Sequence, residues 1–278
     1  MPELPEVETV RRGLDAAVLG RTIDRVEVGR ERTVRRTSRD ALIAGLLGTC
    51  ITGTWRRGKY LVADLDSGDA VMVHLRMSGR LLVVQRGSER PAHAHVALGM
   101  GDLELLFVDP RTFGEVVVFD PERVGEQIPE LSRLGPDPIV DPFDAGVLAR
   151  TLGGTTRGIK SVLLDQHRIA GLGNIYTDEV LHRARLRYDR PAASLRRAEV
   201  GRLAAAITEV LNAAIAAGGS TLADTQYVDL MGRTGSYQHA HRVYGRSDEP
   251  CLTCGRGRIR RVSVGGRSTF FCPRCQRA

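Results

Sequence analysis

The cysteines near the C-terminus constrain this chain more than any other feature of its sequence. Two Cys-x2-Cys pairs are separated by 17 residues, and this spacing is typical of a four-thiolate zinc site. The acidic N-terminus has no apolar signal segment, so we expect a cytoplasmic protein whose thiols stay reduced. A closed shell of four sulfurs leaves no position for water. We therefore predict one structural Zn²⁺, held by Cys251, Cys254, Cys272 and Cys275.

The segment between the two cysteine pairs predicts a small two-stranded ribbon. Two strand-like runs, Ile259–Val264 and Arg267–Phe271, flank a Gly-Gly turn. From Cys251 onward the chain has seven arginines and no acidic residue, a distribution typical of a phosphate-facing surface. Such a ribbon fits a DNA groove, and the alternative is a zinc ribbon that binds protein. The net charge of +7 alone fits either a polyanionic partner or a solvated basic surface.

Hydrophobic periodicity divides the rest of the chain into a strand-rich part and a helical part. Short strand-like runs with turn signals between them fill 22–119, which predicts an antiparallel sandwich or barrel. Five prolines within 121–142 indicate an inter-domain connection, and the apolar period beyond it is helical. We predict an α+β multidomain chain with an N-terminal β-sandwich and flanking helix (1–120), a linker (121–142), a helical domain (143–236) and a zinc ribbon (237–278).

Two further features of the composition bear on function. No apolar run approaches the roughly 18 residues that a membrane span needs, so no membrane partner is expected. Of the 40 basic side chains, only Lys59 and Lys160 are lysines. A compact ammonium suits places where a planar guanidinium does not fit. The two lysines are therefore candidate functional residues, with chance survival in an arginine-rich chain as the alternative.

The chain also carries a series of distinctive motifs from end to end. They are, in order, MPELPEVETVRRGL, RRGKY, HLRMSG, DPRTFG, IKSVLLDQ, GLGNIYTDE, VYGR and GGRSTFFCPRCQ. Together they resemble the formamidopyrimidine-DNA glycosylase family, and so many motifs in one order make the match specific. The resemblance implies a β-sandwich, a helix–two-turn–helix domain and a zinc finger. It also implies a monomeric bacterial repair enzyme at the nucleoid, a glycosylase and abasic-site lyase that removes oxidised purines from duplex DNA.

The resemblance places the chemistry at the N-terminus. Removal of Met1 frees the secondary amine of Pro2, which attacks C1′ of the damaged nucleotide and displaces the base. The resulting iminium cannot lose an N–H proton, so it acts as the electron sink for β- and then δ-elimination. Glu3 matches the family's acid/base carboxylate and Glu6 a supporting one, although by position alone both are helix N-terminal charges. Lys59 matches a hairpin lysine that contacts the damaged nucleotide and its phosphate, and the resemblance places it with Pro2 and Glu3 among the catalytic residues.

Other motif residues are implied to contact DNA. A flipped nucleotide leaves a gap in the base stack, and Met77, Arg111 and Phe113 match the residues that fill it, with Arg111 on the estranged cytosine. We call these three the space-filling trio; core packing is the alternative for Met77 and Phe113. Lys160 is implied to be a second DNA contact or else a helix-surface charge. The residues that resemble the remaining phosphate contacts are His74, Asn174, Tyr244 and Arg267.

Three functions fit these residues. The first is the oxidised-purine glycosylase and lyase, which Leu4 and the space-filling trio favour. The second is a glycosylase for oxidised pyrimidines, similar to endonuclease VIII. The third is a non-catalytic protein that binds damaged DNA, which the intact N-terminal residues disfavour. The resemblance implies that Leu222–Gly235 grips the flipped base, and this segment is slightly longer than is usual in the family, so the lesion preference stays open.

Overall fold

The computed structural model describes residues 2–222 and 227–277, which form two compact units. The first unit comprises the described residues up to Arg133 together with those of Ala217–Ser236, and the second comprises Leu134–Ala216 and the chain from Tyr237 onward. The segment Ala217–Ser236, assigned above to the helical domain, thus groups with the first unit. Met1, residues 223–226 within the implied lesion segment, and Ala278 lie outside the described residues.

The first unit is a β-sandwich with flanking helices. Its elements in chain order are α1 (Leu4–Val18), β1 (Arg25–Val28), α2 (Arg39–Leu46), β2 (Ile51–Arg57), β3 (Tyr60–Leu65), β4 (Ala70–His74), β5 (Arg80–Gln85), β6 (Ala94–Met100), β7 (Leu103–Val108), β8 (Glu115–Phe119), α3 (Val124–Gln127) and α4 (Pro129–Ser132). The strands form two four-stranded sheets, in the orders β1-β6-β7-β5 and β2-β3-β4-β8. Neighbouring strands are antiparallel, as predicted for a sandwich.

One apolar core joins both sheets to the first helix. Alternate side chains such as Leu61 and Phe107 contribute from the strands, and Val7, Val10 and Leu14 contribute from one face of α1. Each such side chain stabilises the fold by about 1.5–3 kcal/mol when fully buried. Because α1 is buried along this face, the residues that precede it are held against the sandwich.

Several elements of the first unit were not predicted from the sequence, among them α2 and β2. Ser38 is the N-cap of α2, and its side-chain oxygen accepts a hydrogen bond from the backbone N–H of Ala41 at 3.0 Å, which is a readable start signal. Strand β2 lacks apolar alternation because it contains a buried Arg56 and a partly exposed Trp55. The prediction of an uninterrupted strand-rich stretch over 22–119 was therefore wrong at α2.

The second unit combines helices with the two-stranded ribbon. Its elements are α5 (Ala145–Leu152), α6 (Ile159–Leu163), α7 (Asn174–Ala184), α8 (Arg197–Ala216), β9 (Arg260–Val264) and β10 (Arg267–Phe271). The ribbon is antiparallel, with Arg267 opposite Val264 and Phe271 opposite Arg260. Short 3₁₀ helices cover Glu31–Val34 and Pro121–Arg123 in the first unit, and Ala192–Ser194 and Tyr237–Ala240 in the second.

Two consecutive carboxylates of α7 fasten the ribbon and its preceding segment to the helices. Asp178 Oδ2 accepts a hydrogen bond from the backbone N–H of Phe270 at 2.8 Å. Glu179 Oε1 accepts from the backbone N–H groups of Val243 and Tyr244, at 2.9 and 2.8 Å. Both carboxylates are buried, and hydrogen bonds to charged groups are stronger than neutral ones. These bonds fix the backbone on which the motif residues of the C-terminal part stand.

Candidate active site

The N-terminal carboxylates are buried at the first turn of α1. Pro2 is buried, and Glu3 and Glu6 are 2% and 1% exposed. The backbone N–H of Glu3 donates to Glu6 Oε2 at 2.8 Å, so the Glu6 carboxylate holds the backbone of Glu3 in place. Carboxylates are favoured at a helix N-terminus. Full burial is nevertheless unusual for helix-surface charges, and the structure brings all three sequence-predicted residues to one place.

Glu6 is anchored by a segment distant in sequence. Its Oε1 accepts a hydrogen bond from the backbone N–H of Ser220 at 2.7 Å, and the hydroxyl of Tyr227 donates to its carbonyl oxygen at 3.4 Å. Burial raises the pKa of Tyr227 and keeps this phenol a donor. Thr221 closes the base of the segment, because its hydroxyl donates to the carbonyl oxygen of Tyr227 at 2.7 Å and accepts from the N–H of Gly235 at 2.9 Å.

Gly219 is required by this close approach. Its φ is +80°, and a Cβ there would lie 2.7 Å from Glu6 Oε1. We predict that Gly219→Ala displaces the Glu6 carboxylate, lowers the unfolding free energy by about 1–3 kcal/mol and reduces base excision. Gly218→Ala is the matched control, because its φ is +71° but its Cβ would meet only the Cα of Gly235, at an ordinary contact distance of 3.8 Å. Urea denaturation and single-turnover excision measure both, and equal losses in both variants would contradict the role of the Glu6 contact.

Lys59 stands on a hairpin that is fixed to α1. The turn between β2 and β3 has Gly58 at φ +56°, and Arg56 donates to the carbonyl oxygen of Gly58 at 2.9 Å. The same fully buried guanidinium donates to Glu8 Oε2 on α1 at 3.1 Å. Burial raises the pKa of Glu8, but hydrogen bonds and charges of nearby arginines, Arg11 first, outweigh it and leave the pKa lowered. Lys59 itself is 6% exposed.

His74 is buried and neutral. Burial, followed by the charge of Arg76, lowers its pKa to about 3. Its Nδ1 accepts a hydrogen bond from the backbone N–H of Arg76 at 3.0 Å, so the imidazole proton lies on Nε2. The ring of Tyr60 contacts it edge-on at a centroid distance of 4.4 Å. His74 is therefore suited to donate one hydrogen bond to an oxygen and does not supply a positive charge near neutral pH.

The space-filling trio occupies two neighbouring loops of the sandwich. Met77 lies between β4 and β5, and Arg111 and Phe113 lie between β7 and β8. Met77 and Phe113 are each 40% exposed, so the core-packing alternative is wrong for both. The guanidinium of Arg111 lies over the Phe113 ring, 5.0 Å from its centroid. The structure thus presents two apolar side chains and a cation on the surface, as a wedge for a base stack requires.

Lys160 differs from the expectation of a surface charge. Its side chain is 1% exposed, and Nζ donates to Asp178 Oδ1 at 2.7 Å and to the carbonyl oxygen of Ser268 at 3.1 Å. The helix-surface alternative was therefore wrong. Leaving one member of such a buried pair without its partner is strongly destabilising, so Lys160 holds strand β10 to helices α6 and α7.

The other motif residues of the second unit surround the same strand. The side-chain amide of Asn174, at the start of α7, donates to the carbonyl oxygen of Ser268 at 2.9 Å. Tyr244 contacts Phe270 edge-on at 5.1 Å. Arg267 is exposed at the start of β10 and lines a cavity of about 290 Å³ together with Arg157. Asp165 lines the same cavity and pairs with Arg157 at 2.9 Å, so the lining is of mixed charge.

The four predicted zinc ligands lie together in the second unit. Their sulfur atoms are all within 4.8 Å of one another, and the Cys251–Cys275 and Cys254–Cys272 separations are both 3.8 Å. A tetrahedron with Zn–S bonds of about 2.3 Å has sulfur–sulfur edges of about 3.8 Å. The donor set therefore fits one Zn²⁺, and these two separations match the edges of such a tetrahedron.

Three family models match this chain in order. The N-terminal domain of formamidopyrimidine-DNA glycosylase matches residues 1–116, and the H2TH domain of the same enzyme matches residues 134–226. The zinc finger found in FPG and IleRS matches residues 248–278. The chain belongs to the formamidopyrimidine-DNA glycosylase family. This membership confirms the predicted fold class with its helix–two-turn–helix domain, the zinc cofactor and, at the level of the family, the enzyme class of DNA glycosylase and abasic-site lyase.

Relatives of the family align over the whole chain. A formamidopyrimidine-DNA glycosylase of Rhodopseudomonas palustris is 46% identical over 296 residues, with both chains fully covered. A Lactococcus lactis Fpg variant in complex with DNA that contains Fapy-dG has a TM-score of 0.91 at 35% identity. The wild-type L. lactis Fpg in complex with DNA that contains an oxidised pyrimidine has a TM-score of 0.90 at 36% identity. Both structures cover this chain completely and are covered completely by it.

Across residues 2–222 and 227–277, the helices are too short or too polar to cross a membrane. This agrees with the absence of a long apolar run in the sequence.

Proposed function

We propose that this chain is a base-excision repair enzyme that removes oxidised purines, 8-oxoguanine and formamidopyrimidines, from duplex DNA and cleaves the strand by β,δ-elimination. The observation that carries the proposal is the burial of Pro2, Glu3 and Glu6 together at the start of α1. Family membership and the damaged DNA bound by the L. lactis Fpg structures support it. We place its activity at the bacterial nucleoid, as a monomer in the cytoplasm.

The nucleophile in this proposal is the amine of Pro2, freed by removal of Met1. Its nitrogen lone pair forms a bond to C1′ while the bond from C1′ to the base breaks, and the base leaves with the electron pair and takes up a proton. The positive end of α1 favours the neutral, nucleophilic amine. Glu3 protonates the sugar ring oxygen, so the ring opens and leaves an iminium between Pro2 and C1′.

Strand cleavage follows from that iminium. A secondary amine has no further N–H proton to lose, so the positive charge persists and draws electrons from the sugar. Loss of a C2′ proton expels the 3′ phosphate, and loss of a C4′ proton then expels the 5′ phosphate. Glu3 and its neighbour Glu6 are the carboxylates placed to move these protons. Glu6 is held by Glu3 and Ser220, which favours a supporting role for it.

DNA binding in this proposal uses donors from both units. In the first unit Lys59 and the neutral His74 contact the phosphates around the damaged nucleotide. In the second unit Asn174, Tyr244 and Arg267 contact the backbone, with helix α7 presenting its N-terminus. Lys160 supports these contacts by holding β10, since its ammonium already has buried partners.

The space-filling trio occupies the gap left by the flipped nucleotide. Arg111 hydrogen-bonds the estranged cytosine, and Phe113 and Met77 enter the base step. Their surface exposure favours this role.

The preference for one lesion over another is the most detailed part of the proposal, and a separate experiment tests it. We predict that borohydride traps a covalent adduct on a duplex with 8-oxoguanine opposite cytosine at a rate at least about tenfold above that on a thymine glycol duplex, a difference of about 1.4 kcal/mol in barrier. The measurement is single-turnover trapping at saturating enzyme, resolved by denaturing gel. Since L. lactis Fpg also binds an oxidised pyrimidine, some adduct on thymine glycol is compatible with the proposal.

Two outcomes of this experiment would replace the proposed oxidised-purine glycosylase with another function. An adduct confined to thymine glycol would establish the oxidised-pyrimidine glycosylase. No adduct on any lesion, from protein whose mass shows Pro2 as its first residue, would establish the non-catalytic damage-binding protein.

A further inference from the structure

The two loops that carry the space-filling trio are both bonded to one buried carboxylate. Asp109 follows β7 and is 0% exposed. Its Oδ1 accepts a hydrogen bond from the Ser78 hydroxyl at 2.5 Å, and its Oδ2 accepts from the backbone N–H of Gly114 at 2.7 Å. Oδ1 also accepts from the backbone N–H of Arg111 at 3.2 Å. Ser78 adjoins Met77 in one loop, while Arg111 and Gly114 belong to the other.

Backbone conformation in these loops requires such support. Arg76 has φ +53° and Thr112 has φ +54°, a left-handed conformation that costs a residue with a Cβ about 1 kcal/mol or more. Each of them directly precedes an exposed wedge residue, Met77 or Phe113. Packing fixes side chains that are 40% exposed only in part, so their direction also depends on the backbone. The carboxylate of Asp109 is placed to hold that backbone in both loops.

We infer that Asp109 is a positioning residue that sets the spacing between Met77 and the Arg111–Phe113 pair. The inference rests on the proposed function, because a wedge matters only where a nucleotide is flipped. Asp109 does not touch substrate in this account. It acts through the hydroxyl of Ser78 on one side and through two backbone N–H groups on the other, and it fixes the three side chains as one rigid wedge.

Ser78 offers the sharper substitution, because it carries the link to the Met77 loop and leaves the other loop's bonds in place. Ser78→Ala removes the hydroxyl, and Ser78→Thr restores it as the matched control. With Ser78→Ala we expect excision from an 8-oxoguanine:cytosine duplex to fall about tenfold, the usual effect of losing a hydrogen bond to a charged group. Cleavage of a single-stranded oligonucleotide with a preformed abasic site should stay within about twofold of wild type, because no base stack has to be opened there.

A fluorescent base reports the wedge directly. With 2-aminopurine beside an uncleavable abasic analogue in duplex DNA, wild type and Ser78→Thr should give the full rise in fluorescence on binding, and Ser78→Ala a smaller one. Equal losses on duplex and single-stranded substrates, or an unchanged fluorescence rise, would overturn the inference. If the wild-type enzyme itself excises nothing, the proposed function fails, while the fluorescence comparison between variants still tests the wedge.

Discussion

Protein that carries any residue before Pro2 should bind damaged duplex DNA and leave it uncut. An N-terminal extension converts the secondary amine of Pro2 into an amide, which has no nucleophilic lone pair. We expect base excision and strand cleavage to fall by roughly a thousandfold or more, as when other enzymes lose a covalent nucleophile. DNA affinity should change little, because the proposed phosphate contacts lie elsewhere in the chain. Gel-based excision and fluorescence-anisotropy binding measure the two quantities on the same preparation.

The control for this prediction uses the same molecules. A tag placed directly before Pro2 and removed by a protease that leaves proline as the first residue should restore excision in step with the fraction cleaved. Full activity in the uncleaved protein would contradict the role of Pro2. Loss of DNA binding in the tagged protein would instead show that the extension blocks the binding surface.

The second large effect concerns the zinc module. Cys272→Ser removes one of four thiolates, so we expect the metal to be lost. Because the metal supplies much of the folding free energy of so small a unit, we also expect the DNA affinity to fall by at least about a hundredfold. The sandwich should remain folded. Trp55, the one tryptophan of the chain, lies in β2 and bonds Asp64 through its indole N–H at 2.9 Å, so its fluorescence reports the first unit alone.

Cys50→Ser is the matched control for that substitution. Cys50 is the one cysteine outside the zinc site, so its replacement should leave the zinc content at one per chain and the DNA affinity unchanged. Zinc is measured by release to a chromogenic chelator, and binding by anisotropy. Tight DNA binding by metal-free Cys272→Ser protein would show that the ribbon is not a contact surface.

Local sequence signals predicted most of the fold. The two ribbon strands around the Gly-Gly turn were predicted within one residue of their ends, since such patterns are set by neighbouring residues. Strand β2 was missed because Arg56 is buried in it through its bond to Glu8, a contact that no local pattern shows. Helix α2 was missed although Ser38 marks its start.

In the candidate site, too, features set by neighbouring residues could be predicted, and contacts between residues distant in sequence could not. Pro2, Glu3 and the cysteines were predicted as site residues because their motifs are contiguous or regularly spaced. Gly219 and Ser220 were not among the predicted site residues, because the bond from Ser220 to Glu6 joins positions 214 residues apart. Lys160 was predicted to be a DNA contact or a helix-surface charge, since its partners Asp178 and Ser268 come together only when the second unit folds. Asp109 lies in the DPRTFG motif. Roles were assigned there to Arg111 and Phe113 only, and none to Asp109.

The most direct test of the account is to locate the covalent bond to DNA. Enzyme with a free N-terminus is reacted with an 8-oxoguanine:cytosine duplex, reduced with borohydride and digested, and the cross-linked peptide is sequenced by tandem mass spectrometry. The account predicts that the sugar remnant is attached to the nitrogen of Pro2. Attachment to Lys59 or to any other side chain, with an unmodified Pro2 peptide, would contradict it.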